Sequence, residues 1–336
     1  MRKLGKNSAS PLAEVTIVVR TVAGREKFLT DCLASIRAQP QSEKTNLVVS
    51  GNGTQAESEK IAVSFGACFW HHPKKIGAAD HGLSIVRRVA TRFVWIVGDD
   101  DLVAPGALRE IEEQLSHRPE PPGSLHAVIG RARFFARTDP LDLGQVRPSD
   151  SEWRDGNFHS LADVSDATLG EVHLGAFVVD ASLMQPSRWE KYRGTSHEIF
   201  GALWEGIAET EDLNVAVSSA PLVFLRQAEK AWDHSNVMTI LGLRRFESLL
   251  PSAVREHRFA VLKPLKAEKL LRWAAQSLPE ERQELRLLIA SYPTSPAWYS
   301  LVPSLSRRTA QLLHFVVKAR RQVPQLQLRA KWLRRK

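Results

Sequence analysis

The stretch Phe93-Val94-Trp95-Ile96-Val97-Gly98-Asp99-Asp100-Asp101 joins an apolar run to three consecutive carboxylates. The run is short and rich in β-branched and aromatic residues, which reads as a buried strand. Three acids at its end cannot be core, because buried charges need partners. They repel one another unless positive charge sits between them. A hard divalent cation, Mn²⁺ or Mg²⁺, answers that need, since it takes carboxylate oxygens and commonly holds substrate phosphates as well. In an α/β sheet, ligands bind outside the carboxyl ends of the strands. The turn therefore marks where a metal-bound phosphate ligand would lie. Helix capping is the competing reading for Asp101, because Pro105 opens a helical segment just beyond it.

Outward from this stretch, strand and helix alternate. Glu14 to Arg20, Asn46 to Ser50, Ala67 to Trp70 and Arg92 to Val97 read as strands. Lys27 to Gln39, Ala56 to Phe65, Asp80 to Thr91 and Pro105 to Leu115 carry helical apolar spacing. Four such alternations in about 100 residues are the signature of a parallel, doubly wound sheet with helices on both faces. Further on, His126 to Phe135 reads as a strand, a helix is expected around Leu161, and Val172 to Val179 is a strand or buried turn. Ser187 to Ile207 reads as a short helix, a loop and a second helix, while Leu213 to Val217 and Leu222 to Leu225 read as two short strands. From about Met238 the pattern is helical and repeatedly broken by proline. The expected organisation is a flexible lead over residues 1–13, an α/β domain over 14–235 and a helical region over 236–336.

Four strand-to-helix turns carry the unusual chemistry: Val19-Arg20-Thr21, Gly51-Asn52-Gly53-Thr54, Lys75-Ile76-Gly77 and Asp99-Asp100-Asp101. All four would line one edge of the sheet, where a nucleotide binds. This arrangement resembles the family 2 glycosyltransferases of GT-A fold over roughly residues 14–225. Asp99-Asp100-Asp101-Leu102-Val103-Ala104-Pro105-Gly106-Ala107-Leu108 matches the family's acidic block closely, and Phe28-Leu29 with Cys32-Leu33 matches its first helix. The nearest likeness is to bacterial enzymes that build O-antigens and capsules, of the abequosyltransferase-like kind. Departures are plain. The acid heading the second block is replaced by Gly51, the first-block proline by Arg20, and the third-block asparagine by His81. The family's Glu-Asp pair has no standard counterpart.

The resemblance implies a metal-dependent sugar transfer from a nucleotide-sugar donor, inverting at the sugar. Asp101 with Asp99 or Asp100 would hold the cation, and the remaining acid would accept from ribose hydroxyls. Val19, Arg20, Thr21, Asn52, Lys75, Gly77 and Asp99 are the donor-binding candidates. Glu198 is the candidate general base, with Asp100 grouped beside it as catalytic, and His197 is a candidate metal contact alongside Asp99 and Asp101. Glu198 serves equally well as a first-turn helix acid capped by Thr195 or Ser196. Asp163, Asp166, Glu171 and Asp180 are weaker candidates for the base. Trp189, Trp204 and Trp232 are candidates for sugar stacking, His71-His72 reads as surface, and Arg226 follows a strand near the presumed diphosphate.

The chain has 336 residues and a formal charge of +9. Ten of its 46 basic residues and none of its 37 acidic ones fall in 306–336, which leaves the remainder close to neutral. A general nucleic-acid binder would spread basic residues over a binding face, so nucleic acid is not an expected partner. The basic tail interleaves Leu312, Leu313, Val316 and Trp332 with its arginines and lysines. That pattern suits peripheral contact with an anionic membrane and a glycan or lipid-linked acceptor. Two cysteines without metal spacing suit a reducing, cytoplasmic setting. No run of about 18 apolar residues is present. Two other classes stay open: a non-catalytic nucleotide-sugar or glycan binding module on the same fold, and a nucleotidyltransferase.

Overall fold

The computed structural model describes residues 10–53, 56–116, 125–135, 153–168, 173–195 and 197–226, with scattered positions between 246 and 313. Nine strands form one sheet: β1 (Val15–Val22), β2 (Asn46–Asn52), β3 (Cys68–His72), β4 (Phe93–Gly98), β5 (Leu102–Val103), β6 (Ala127–Phe135), β7 (Gly156–Phe158), β8 (Phe177–Asp180) and β9 (Val215–Arg226). The helices are α1 (Glu26–Arg37), α2 (Ala56–Ser64), α3 (Ala78–Arg88), α4 (Ala107–Ser116), α5 (Leu161–Ala167), α6 (Pro186–Lys191) and α7 (Glu198–Ala208). The strand order is β3-β2-β1-β4-β8-β6-β9-β5, with β7 pairing β9.

The alternating first half gives the parallel block β3-β2-β1-β4. Strands β1, β2 and β4 are largely buried on both faces, as a sheet covered on both sides requires, whereas the edge strand β3 is partly exposed. Ile17, Val19, Val49, Trp95 and Val97 join the core formed with Leu29, Leu33 and Ile36 of α1 and Leu108 and Ile111 of α4. Val18, Val48, Val94 and Ile96, one residue out of step, are buried on the opposite face. Helix α1 forms because Leu29, Cys32, Leu33 and Ile36 fall on a single stripe. The Trp95 indole N–H donates to the Gly175 carbonyl at 2.8 Å, so even the widest core ring has its polar atom satisfied.

Beyond β4 the sheet is mixed. β8 is antiparallel to both β4 and β6, whereas β6 and β9 run parallel. The two strands expected at 213–217 and 222–225 are one continuous strand, β9. Ser218 to Pro221 break the apolar run but not the pairing, and a register shift on β6 near Arg131 absorbs the irregularity. By its internal contacts the chain divides into two units. The first comprises Met1–Arg193, His197–Lys230 and Leu249–Ala260; the second comprises Gly194–Ser196, Ala231–Ser248 and Val261–Lys336. The lead at 1–9 and most of the basic tail lie outside the described residues. Among the described residues no helix is long and apolar enough to cross a membrane.

Helix α7 packs tightly on the turn following β8. A Cβ at Gly206 would stand 2.2 Å from the carbonyl oxygen of Leu183, a backbone atom with nowhere to move. Gly206→Ala is therefore expected to cost about 2 kcal/mol or more. A thermal melt of the variant checks this; an unchanged midpoint would contradict the packing.

Candidate active site

The register places four chain segments at one edge. Arg20 faces Ser50 on one side and Gly98 on the other, and Thr21 faces Gly51. The carboxyl ends of β1, β2 and β4 thus lie level, and the acidic turn leaves the sheet there. The Asp99 N–H donates to the Arg20 carbonyl at 3.1 Å, and the Asp101 N–H donates to the Gly98 carbonyl at 3.2 Å, which folds the turn back on the strand end. A Cβ at Gly98 would lie 2.9 Å from an Asp100 carboxylate oxygen and 3.0 Å from one of Asp101, so both carboxylates curl over this glycine. The Cys32 thiol beneath it is 3.6 Å from the Gly98 carbonyl. Burial and the three acids push that thiol well above its ordinary pKa, which keeps it protonated.

Asp99 is buried, accepts from the Thr21 hydroxyl at 2.7 Å and pairs with Arg25, Nε to Oδ1, at 2.8 Å. The same guanidinium meets Asp100 at 2.7 Å through Nη2. Burial raises the Asp99 pKa to about 6, against the opposing pull of Thr21 and Arg25. Burial, then repulsion from Asp100 and Asp99, raises Asp101 to about 8. Both native values exceed the unfolded value, so the folded state holds extra protons and these groups take stability away as pH climbs from about 4 toward 8. Asp101→Asn should accordingly raise the melting temperature at pH 8 and leave it nearly unchanged at pH 5. Parallel melts at the two pH values check it; equal shifts would contradict the strained carboxylate.

The residues fit a divalent cation in one specific respect. Two clustered carboxylates sit above their usual pKa, chiefly through burial and, for Asp101, through repulsion by its two neighbours, even with Arg25 beside them. Mg²⁺ and its relatives are commonly held by one or two carboxylates, with phosphate oxygens and water completing the shell. A closed protein cage is not formed: among the described residues no three His, Cys, Asp or Glu side chains converge. The grouping of His197 with Asp99 and Asp101 is therefore corrected. His197 is the N-cap of α7 and is not gathered with the acidic turn.

Other expected residues have defined places. Thr21 spends its hydroxyl on Asp99 and so positions that carboxylate. Arg20 donates from Nη2 to the Ala78 carbonyl at 2.9 Å, tying β1 to the start of α3, and its burial lowers its pKa despite the nearby Asp99. The Asn52 amide clamps the third turn: its nitrogen donates to the Ile76 carbonyl at 2.9 Å and its oxygen accepts from the Ile76 N–H at 2.8 Å. Asn52 thus shapes the segment carrying Lys75 and Gly77. Gly53, with φ +97°, makes the tight turn beside Lys75.

His81, which stands where the family has asparagine, pairs with the Ser50 hydroxyl at 2.8 Å. Burial, then Arg20, His72 and Arg88, push its pKa down to about 3, so it is a neutral imidazole. His72 is likewise buried, 3.1 Å from the Ser84 hydroxyl, so the surface reading holds for His71 alone.

Glu198 opens α7 and is buried. The N-cap residue of that helix, His197, makes no side-chain capping bond. Ile199, the neighbour of Glu198, packs against Gly82 of α3, the helix whose first residue receives the Arg20 bond. The other candidate bases have structural duties. Asp180 pairs with Arg92 at 2.9 Å and lies opposite Phe93, at the start of β4. Six residues of strand put roughly 20 Å between it and the acidic turn. Asp163 bonds Ser160 at the start of α5, and Asp166 pairs with Arg154. Glu171 and Trp232 lie outside the described residues. Trp189 and Trp204 are core residues rather than stacking platforms, and the Trp189 indole donates to the Met184 carbonyl.

Three residues complete the edge that sequence reasoning had left aside or undervalued. Arg226, at the end of β9, donates from Nε to the Asp100 carbonyl at 3.2 Å and from Nη2 to Asp31 at 3.0 Å. Arg25 and Arg226 both lie over the Phe28 ring, 5.3 and 4.9 Å from its centroid. The signal available was Arg226 as the one charge closing a long apolar strand. A cavity of about 620 Å³ adjoins β5, lined among others by Ser35, Leu102, Val103, Arg109 and Phe224. None of the expected site residues lines it, and the chemistry stays with the acidic edge.

The parallel block, its level strand ends and the acidic turn define a GT-A fold of mixed α/β type. Residues 16–129 match the family model described as glycosyl transferase family 2. Among solved structures, S. aureus TarS 1–349 in complex with UDP-GlcNAc is similar with a TM-score of 0.54 and 13% identity, covering 92% of this chain and 91% of that one. The same protein in complex with UDP gives 0.53 and 13%, with the same coverage. A longer TarS structure gives 0.50 and 13%, with 86% of this chain against 55% of that one. No curated protein matches the sequence. Identity at this level speaks for the fold alone.

Proposed function

We propose that the protein is a metal-dependent, inverting glycosyltransferase that moves a sugar from a nucleotide-sugar donor to a cell-surface glycan precursor of the lipopolysaccharide or capsule kind. One observation carries the reading: buried, mutually repelling carboxylates stand at the carboxyl edge of the parallel strands, where the fold binds nucleotides. The likeness in fold to a protein crystallised with UDP-GlcNAc supports a donor of that class.

On this reading Asp99 and Asp101 hold Mn²⁺ or Mg²⁺, which when bound supplies Lewis-acid stabilisation of the diphosphate leaving group. Thr21 keeps Asp99 oriented with one carboxylate oxygen engaged. Asp100, anchored by Arg25, is placed to accept from ribose hydroxyls. Arg20 and Asn52 hold the third turn, with Lys75 and Gly77, against the donor side. Glu198 takes the proton from the acceptor hydroxyl as it attacks the anomeric carbon.

Incubation with a panel of nucleotide sugars and Mn²⁺, with detection of released nucleoside diphosphate, tests the assignment. Release that requires the metal supports transfer. Tight donor binding without release on any acceptor would favour a non-catalytic binding module instead.

On the same reading, the basic residues of 306–336 would draw the protein to the anionic inner face of the membrane, beside a lipid-linked acceptor. Each basic residue near such a surface contributes about 1 kcal/mol, and salt weakens it. Removal of 306–336 should release the protein from anionic vesicles in flotation while donor binding persists. Full-length protein that does not float at low salt would overturn this part of the reading.

A further inference from the structure

Arg25 occupies a singular place. Its guanidinium lies 2.8 Å from Asp99 and 2.7 Å from Asp100, bridging the two acids. The contacts are unequal in kind. The Asp100 contact is short and runs through the terminal Nη2, whereas the buried Nε makes no hydrogen bond of acceptable angle despite its nearness to Asp99. Its hold on Asp99 is Coulombic rather than directional. Asp99 keeps its orientation independently, through Thr21. The residue is the N-cap of α1, just after Gly24 at φ +84°, and its guanidinium lies over the Phe28 ring. Arg226 leans on the same ring and is fixed at both ends by the Asp100 carbonyl and Asp31. One arginine of the pair is anchored and the other rests on carboxylates that a cation would claim.

We infer that Arg25 is an exchangeable counter-ion: it neutralises Asp99 and Asp100 in the empty site, yields Asp99 to an arriving divalent cation, and turns its guanidinium to the diphosphate that accompanies the cation. The inference rests on reading the acidic turn as a cation site. Its consequence is cooperativity. A bare cation must displace Arg25 and pays for the lost ion pair, whereas a cation arriving with a diphosphate gives the freed guanidinium a bidentate anionic partner of the kind arginine favours.

The test is binding of Mn²⁺ alone, followed by its electron paramagnetic resonance signal, and of Mn²⁺ with a nucleoside diphosphate, followed by calorimetry, on wild-type protein, Arg25→Gln and Arg25→Lys. Arg25→Gln should bind Mn²⁺ alone roughly tenfold more tightly, because a competing positive charge is gone. It should bind the Mn²⁺–diphosphate pair roughly tenfold more weakly, because a charge-assisted anchor is gone. Arg25→Lys should lie between the two on both measures. A purely structural arginine predicts that both affinities fall together, and that result would overturn the inference, as would Mn²⁺ binding to neither wild type nor Arg25→Gln. Tighter Mn²⁺ binding in Arg25→Gln with no diphosphate binding by any form would uphold the exchange at the acids and defeat the nucleotide reading instead.

Discussion

Replacing Asp101 by Ala should abolish Mn²⁺-dependent binding of a nucleoside diphosphate while the protein stays folded. Asp101 is the acid with the strongest unmet need for positive charge, its pKa raised to about 8 by burial and by its two neighbours. Its side chain supports no core packing, and the turn is held by main-chain bonds from Asp99 and Asp101 themselves. Loss of a residue that merely orients a ligand typically costs 10- to 100-fold in metal affinity, so loss of a direct ligand should cost about 100-fold or more. Calorimetry with Mn²⁺ and a nucleoside diphosphate reads this directly. Removing a destabilising charge also means that the variant should melt no lower than wild type at pH 8. Unchanged affinity would remove Asp101 from the metal site.

Glu198→Gln should leave donor affinity intact and lower turnover by roughly 100-fold or more, since general-base catalysis contributes on that scale. The substitution keeps size and hydrogen-bonding capacity at a buried position, so folding is preserved. Asp163, Asp166 and Asp180 are engaged with Ser160, Arg154 and Arg92, and Glu198 is the base on the proposed reading. Steady-state kinetics with a productive donor and acceptor checks it. Wild-type turnover in the variant would return Glu198 to a structural role at the head of its helix.

The parallel half of the sheet was legible in the sequence because β1, β2 and β4 are apolar runs buried on both faces, and β2 and β4 run into glycine or acidic turns. Pro105-Gly106 marked the start of α4 for the same reason. Strand β5 has two residues and β7 three, too few for any alternation to register. Strand β9 looked like two strands because Ser218-Ser219-Ala220-Pro221 interrupts its apolar run, yet β6 pairs with it on both sides of the interruption. At the site, the acids were legible as unpaired charge after an apolar run. Their partners were not. Arg226 stands 126 residues from Asp100 and is brought to it only by the tertiary fold. The pairing of the Asn52 amide with Ile76 and the Thr21–Asp99 bond depend on hydrogen-bond geometry that no spacing encodes.

The most direct test of the central claim is paramagnetic broadening of backbone amide signals by Mn²⁺ in the presence of a nucleoside diphosphate. A metal–nucleotide site at the carboxyl edge of β1, β2 and β4 predicts that the amides of residues 20–22, 76–78 and 98–101 broaden first, and that Asp101→Ala abolishes the effect. Broadening confined to another surface, such as the β7 edge near Asp155 and Asn157, or none at saturating ligand, would contradict it.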